Sequence, residues 1–148
     1  MNGYQKITSQ SFKAYGKLIC YPHKEQKGKI RNLWRIVHQE KAKVGWRVAY
    51  LVLRDKTIGR FESHPFSDET LEPVKGRALL FVTQRRELSS IQCFLLKQPV
   101  VLYQGTWHGL ISLSPETEIK ITENKKVACR YWSLGFRAKT LRDFRKKV

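Results

Sequence analysis

The chain has 148 residues, 41% of them apolar, and 29 lysines and arginines against 12 acids, a formal net charge of +17. That length allows one domain with one sizeable core, so residues 1–148 are read as a single domain. No apolar run approaches the roughly 18 residues of a membrane span, and MNGYQKITSQ lacks a basic-then-apolar leader, which predicts a soluble, cytoplasmic protein with no membrane partner.

The three cysteines, Cys20, Cys93 and Cys129, are odd in number and widely spaced, which argues for reduced thiols rather than a disulfide framework. The positive charge favours polyanions in a non-specific way. It is spread over residues 24–31, 39–43, Arg85–Arg86, Lys125–Lys126 and the C-terminal end, with no dense basic tract. A nucleic-acid-binding module is therefore the least favoured reading.

In chain order, SQSFKAYG predicts a short N-terminal helix, with Ser9 or Ser11 as cap, Phe12 and Tyr15 on one face and Gly16 as stop. LICYP reads as a strand ended by Pro22, residues 23–32 as a charged loop, and LWRIV (33–37) as a strand. WRVAYLVL (46–53) and IGRFESH (58–64) are strands by their β-branched and aromatic content, and SDETLEPVKG (67–76) carries turn chemistry. ALLFVT (78–83) is a continuous apolar run, as in a strand buried on both faces. IQCFLL (91–96), VVLY (100–103), GLISLS (109–114), EIKIT (118–122) and ACRYWSL (128–134) follow at short spacing. In FRAKTLRDFRKKV, Ala138, Leu141 and Phe144 stand at helical spacing, which predicts a short amphipathic C-terminal helix. Many short strands with tight polar turns make an all-β barrel or sandwich.

Glu62 and His64 are the residues most suggestive of chemistry. They lie two apart, so a strand presents both on one face. Glu69 follows, then Gly76, and the GTWH run ends at His108. Imidazole nitrogens and carboxylate oxygens together suit a divalent ion of borderline softness, so Glu62, His64, Glu69 and His108 are candidate metal ligands. Each has a plainer alternative. Glu62 could pair with Arg60 or Arg77 at a surface, and Glu69 could belong to a polar turn. His23 and His38 show no matching spacing and receive no role.

The order of these residues resembles the cupins, double-stranded β-helix barrels with paired ligands two apart, an acid and a Gly after them, and a last His shortly after another Gly. Glu62 and His64 resemble the pair, Glu69 the acid, Gly76 its Gly, and Gly105 with His108 the second motif. Within that group the chain is similar to the ureidoglycolate lyase family, also called ureidoglycolate hydrolases. The similarity lies in SQSFKAYGKLI, in FESHPFSDETLEPVKG with its His64–Pro65 step, and in VVLYQGTWHGLISL. The family typically carries Gln where this chain has Glu69, and commonly a second His where it has Gly109.

The resemblance implies a homodimeric cupin-like barrel that cleaves ureidoglycolate, a small carboxylate, to glyoxylate and urea. That reaction needs a base near the hydroxyl, a cation for the carboxylate and a donor to the leaving nitrogen. His64, His108 and Lys75 are the candidate catalytic residues, and Lys75 or Arg54 could pair with the carboxylate. Tyr103 could donate a hydrogen bond, while Trp107 either packs in the barrel or lines its mouth. Gly109 leaves the chain without the family's second His, so the alternative is a non-catalytic cupin that binds a small anion.

Overall fold

The computed structural model describes residues 3–18 and 45–148. The strand expected in LICYP (19–22 of it), the loop 23–32 and the strand 33–37 lie outside the described residues, as do Cys20, His23 and His38. The elements are β1 (Gln5–Lys6), β2 (Gly16–Leu18), β3 (Trp46–Leu53), β4 (Ile58–Ser63), β5 (Glu69–Lys75), β6 (Ala78–Thr83), β7 (Gln92–Leu96), β8 (Val100–Leu102), β9 (Trp107–Ser112), β10 (Thr117–Asn124), β11 (Arg130–Ala138) and α1 (Leu141–Arg145).

They build two sheets, ordered β1-β7-β6-β9-β4-β11 and β2-β8-β5-β10-β3. From β3 to β10 the chain crosses between the sheets at every step except β6 to β7. This lays β3-β10-β5-β8 against β4-β9-β6-β7, the double-sheet jelly roll that cupins share. The protein is a cupin-like all-β barrel with a short C-terminal helix.

The burial pattern explains why these segments are strands. In β3, Trp46, Val48, Tyr50 and Val52 are exposed while Leu53 is buried, the alternation of a strand with one face inward. β6 is buried along its whole length. Ala78, Leu80 and Val82 enter the core between the sheets with Phe12, Phe94 and Ile119, while Leu79 and Phe81 enter a second core behind the six-stranded sheet. Each leucine, valine, isoleucine or phenylalanine among them contributes about 1.5–3 kcal/mol when fully buried.

The second core is closed by α1. Thr140 and Asp143 form a capping box at its start, which satisfies otherwise unpaired N–H groups. Phe144 is fully buried, its ring 5.5 Å from Phe81 and 6.1 Å from both Phe61 and Phe136. The helix is shorter than its apolar spacing predicts. Residues 136–138 extend β11, so Ala138 ends a strand paired with Ile58 instead of starting a helix.

The expected N-terminal helix is replaced by consecutive turns over residues 9–15. The Ser11 hydroxyl bonds the backbone of both Lys6 and Thr8, and Phe12 N–H reaches Thr8 O at 3.1 Å. Such local side-chain bonds compete with helix formation. Gly16 then enters β2 against β8, where a Cβ would overlap the carbonyl of Val101, so the chain must turn into the sheet at that residue. Phe12 still packs edge-on against Phe94, with ring centroids 5.1 Å apart.

Candidate metal centre

Neighbouring strands bring the candidate ligands together. Glu62 on β4 stands directly opposite His108 on β9, and both therefore project from the same face. Glu69 opens β5, across from Leu102 on β8 and Glu123 on β10. His64 follows β4, and its carbonyl accepts a 2.8 Å bond from Gly105 N–H. Gly105 has φ of +82°, the left-handed conformation a glycine adopts without penalty. That turn ties the end of β4 to the start of β9 and fixes His64 relative to His108.

The distances describe one cluster. Oε2 of Glu69 lies 3.1 Å from His108 Nε2 and 3.4 Å from His64 Nε2, and Glu62 Oε1 lies 3.5 Å from His108 Nε2. The two imidazole centroids are 5.3 Å apart. His64, Glu69 and His108 are all buried, whereas the Glu62 side chain is 42% exposed. Glu62, His64 and His108 can each offer a donor atom within 4.8 Å of the others, and so can His64, Glu69 and Glu123.

His108 carries the strongest indication of a cation. Its Nδ1 stands 3.1 Å from the Thr106 carbonyl. A carbonyl only accepts, so Nδ1 is the protonated nitrogen, and Nε2 of a neutral ring would face Glu69 and Glu62 with a lone pair. Both His108 Nε2 and Glu69 Oε2 are buried with no aligned hydrogen-bond partner. A buried lone pair beside the buried Glu69 carboxylate is costly unless a proton or metal ion lies between them. The set of two imidazoles and two or three carboxylates fits a divalent ion, and the Thr106 carbonyl orients His108 as outer partners of metal-bound histidines do.

Without an ion, protons take that place. Burial pushes Glu69 up, but His108 and His64 outweigh it and hold the carboxyl at about 2. Burial also opposes charge on His108, yet Glu69 and Glu62 prevail and raise it to about 10. His64 is raised as well, with its burial overcome mainly by Glu69. The contact with His108 lowers Glu62.

The other candidate residues lie elsewhere. Lys75 is at the far end of β5 from Glu69, exposed and paired with Glu118 at 3.5 Å. Arg54 is exposed and pairs with Glu116 at 3.0 Å. The structure brings neither to the cluster, because six residues of extended chain separate Glu69 from Lys75 by roughly 20 Å. Tyr103 is at the exposed rim, where its N–H bonds the Tyr15 carbonyl at 2.9 Å. Trp107 is next to His108 and so points to the opposite face, into the second core. It meets Trp132 edge-on at 6.3 Å, and the Arg86 guanidinium lies 5.6 Å from its ring centre. Gly109 follows His108, and a Cβ there would run into Ile58.

Three neighbours of the cluster have no motif to announce them. Glu123 extends the inward face of Ile119 and Ile121 and is held by Arg47 through contacts of 2.7 and 2.8 Å. The signal was a Glu continuing an apolar alternation. Cys129 Sγ lies 3.5 Å from His64 Nδ1. Arg60, two residues before Glu62, shares its face. A cavity of about 460 Å³ opens beside the cluster, lined by Glu62, Glu69 and His108 and walled by Leu51, Leu71 and Leu110 among others.

No helix among the described residues is long and apolar enough to cross a membrane. No protein-family model and no curated protein matches the sequence. Among solved structures, the chain is similar to the oxalate decarboxylase of Bacillus subtilis, with 15% identity over 62% of this chain and 24% of that one, and a TM-score of 0.47. It is also similar to a sugar 3,4-ketoisomerase from Thermoanaerobacterium thermosaccharolyticum (11%, 68% and 71%, 0.45) and to tomato vicilin (16%, 60% and 26%, 0.46). The chain thus matches about a quarter of the length of the decarboxylase and vicilin chains. At this level of similarity the cupin-like fold rests on the strand order described above.

Proposed function

We propose that the protein is a metal-dependent carbon–nitrogen lyase, acting on ureidoglycolate or a similar small hydroxy carboxylate in its barrel mouth. One observation carries the reading. Glu62, His64, Glu69 and His108, the residues that resemble the lyase motifs, converge, with the buried His108 Nε2 and Glu69 Oε2 3.1 Å apart and in no aligned hydrogen bond.

Glu62, His64, Glu69 and His108 would hold the ion. When bound it supplies Lewis acidity, lowering the pKa of a substrate hydroxyl. Glu62 is the most exposed carboxylate of the group and lines the cavity, so its free oxygen is placed to take the hydroxyl proton. As the oxygen forms a carbonyl, the carbon–nitrogen bond breaks and its electron pair passes to the ureido nitrogen. Glu62 returns the proton to that nitrogen, leaving glyoxylate and urea. The apolar wall of Leu51, Leu71 and Leu110 limits water beside the reacting carbon.

Metal analysis of the purified protein and a glyoxylate-release assay, repeated on His108→Ala, test this. Stoichiometric metal and glyoxylate release, both lost in the variant, are expected. Full activity in His108→Ala would remove His108 from the mechanism. A second reading, a non-catalytic cupin that binds a small anion, is favoured by Gly109, where the resembled family commonly has a His. It predicts a filled cavity and no glyoxylate release.

A further inference from the structure

We infer that Arg60 and Arg137 form the anion-recognition wall of the cavity, selecting ligands that carry a carboxylate a short distance from the group held at the cluster. The inference rests on the proposed function for the ligand class and names residues outside the metal centre. Both arginines line the same cavity as Glu62, Glu69 and His108. Arg60 shares the inward face of β4 with Glu62, two residues away or about 7 Å along the strand. Arg137 is on β11, next to Ala138, which pairs with Ile58 at the other end of β4.

Each guanidinium is held in place without being neutralised. The guanidinium carbon of Arg60 lies 4.3 Å over the ring centre of Tyr131. A cation over a ring is positioned without an opposing charge, and its N–H donors can still bind an anion. Arg137 donates from Nε to Thr57 Oγ1 at 2.6 Å and from one terminal nitrogen to Thr57 O at 3.3 Å. Its other terminal nitrogen lies beside Gly59, a residue that also lines the cavity. Among the described residues neither arginine makes an ion pair, although Arg47, Arg54, Lys75 and Lys120 all do. Asp55 is the other charged group on that wall and pairs with neither.

Guanidinium groups bind carboxylates through paired N–H donors and stay charged at any working pH. The cavity thus presents two positioned cations as well as the cluster. The rest of its wall is largely apolar, with Leu53 and Ile121 in addition to the leucines named above. A compact hydroxy acid fits that polarity, with its carboxylate on the arginines and its hydroxyl toward the cluster.

The test titrates glycolate, and its neutral counterpart glycolamide, into the metal-stripped full chain by saturation-transfer NMR, and measures metal uptake separately. Wild type is expected to bind glycolate at millimolar concentrations and glycolamide at least tenfold more weakly. Arg60→Gln and Arg137→Gln should each weaken glycolate about tenfold with metal uptake unchanged, and Arg60→Lys should recover part of the loss. Because Arg137 also ties down Thr57, the exposed Arg60 variant, checked by circular dichroism, is decisive if Arg137→Gln misfolds. No glycolate binding by wild type, equal binding of glycolamide, or an Arg60→Gln affinity within twofold of wild type would overturn the inference. A protein that takes up no metal but keeps the arginine dependence would refute the proposed function and leave this inference standing.

Discussion

Replacing Glu69 with Gln preserves shape and removes one charge, which makes it a direct test of the buried centre. The carboxylate lies between two imidazoles and is 5% exposed, so its charge is little screened. Metal that binds only the folded chain stabilises it by about 2.7 kcal/mol at one hundred times its dissociation constant. For a domain of this size each kcal/mol moves Tm by about 2–4 °C, so wild type should gain roughly 5–11 °C. Perturbing groups that merely orient ligands costs about 10–100-fold in metal affinity, and loss of a ligand charge should reach the upper end. At the same metal concentration a hundredfold weaker variant gains only about 0.4 kcal/mol, or 1–2 °C. Thermal shifts with Mn²⁺, Co²⁺, Ni²⁺ and Zn²⁺ against an EDTA control give both numbers. An equal gain in wild type and Glu69→Gln would refute the assignment of Glu69 to a metal centre.

The metal-free protein should lose stability as pH rises. Charged His108 is favoured by folding, its pKa going from an ordinary 6.5 to about 10, so its contribution is complete below 6.5 and disappears through about 10. Glu69, lowered from 4.5 to about 2, contributes above 4.5 and fades as pH falls toward 2. Tm in EDTA should therefore decline from pH 6.5 to 9, and a divalent ion should flatten that decline because it displaces the proton; a flat profile in EDTA would contradict the pairing. Gly109→Ala sets a Cβ 2.1 Å from Ile58 Cδ1 and should cost about 1–3 kcal/mol in urea unfolding, with no loss if Ile58 moves freely. Phe144→Ala should cost about 3–5 kcal/mol by emptying the second core, and a change under 1 kcal/mol would mean that α1 is not docked there.

Most of the barrel was legible because its signal is local. Alternation in 46–53 and the unbroken run 78–83 each report the faces their own strand buries. The N-terminal segment forms turns instead of the expected helix because the Ser11 and Thr8 hydroxyls, together with Gly16 packed on Val101, redirect a segment whose apolar spacing alone suits a helix. Glu62 and His64 announced themselves by period 2, and His108 by its Gly turn. Arg60 and Glu123 share the period-2 faces of Glu62 and Ile121, whereas Arg137 reaches the cavity through the pairing of β11 with β4, strands distant in sequence. Lys75 and Arg54 have the charge a carboxylate needs, but sequence does not show that Glu118 and Glu116, across the sheet or turn, already pair with them.

The packing of Gly109 constrains how this chain could acquire the His that the resembled lyases carry there. A side chain at 109 would meet Ile58 before it met the cluster, since it departs from the face opposite His108. Ile58 has to shift for any side chain to fit there, and that shift disturbs the second core, so a His at 109 would load the packing behind the sheet rather than add a ligand to the centre.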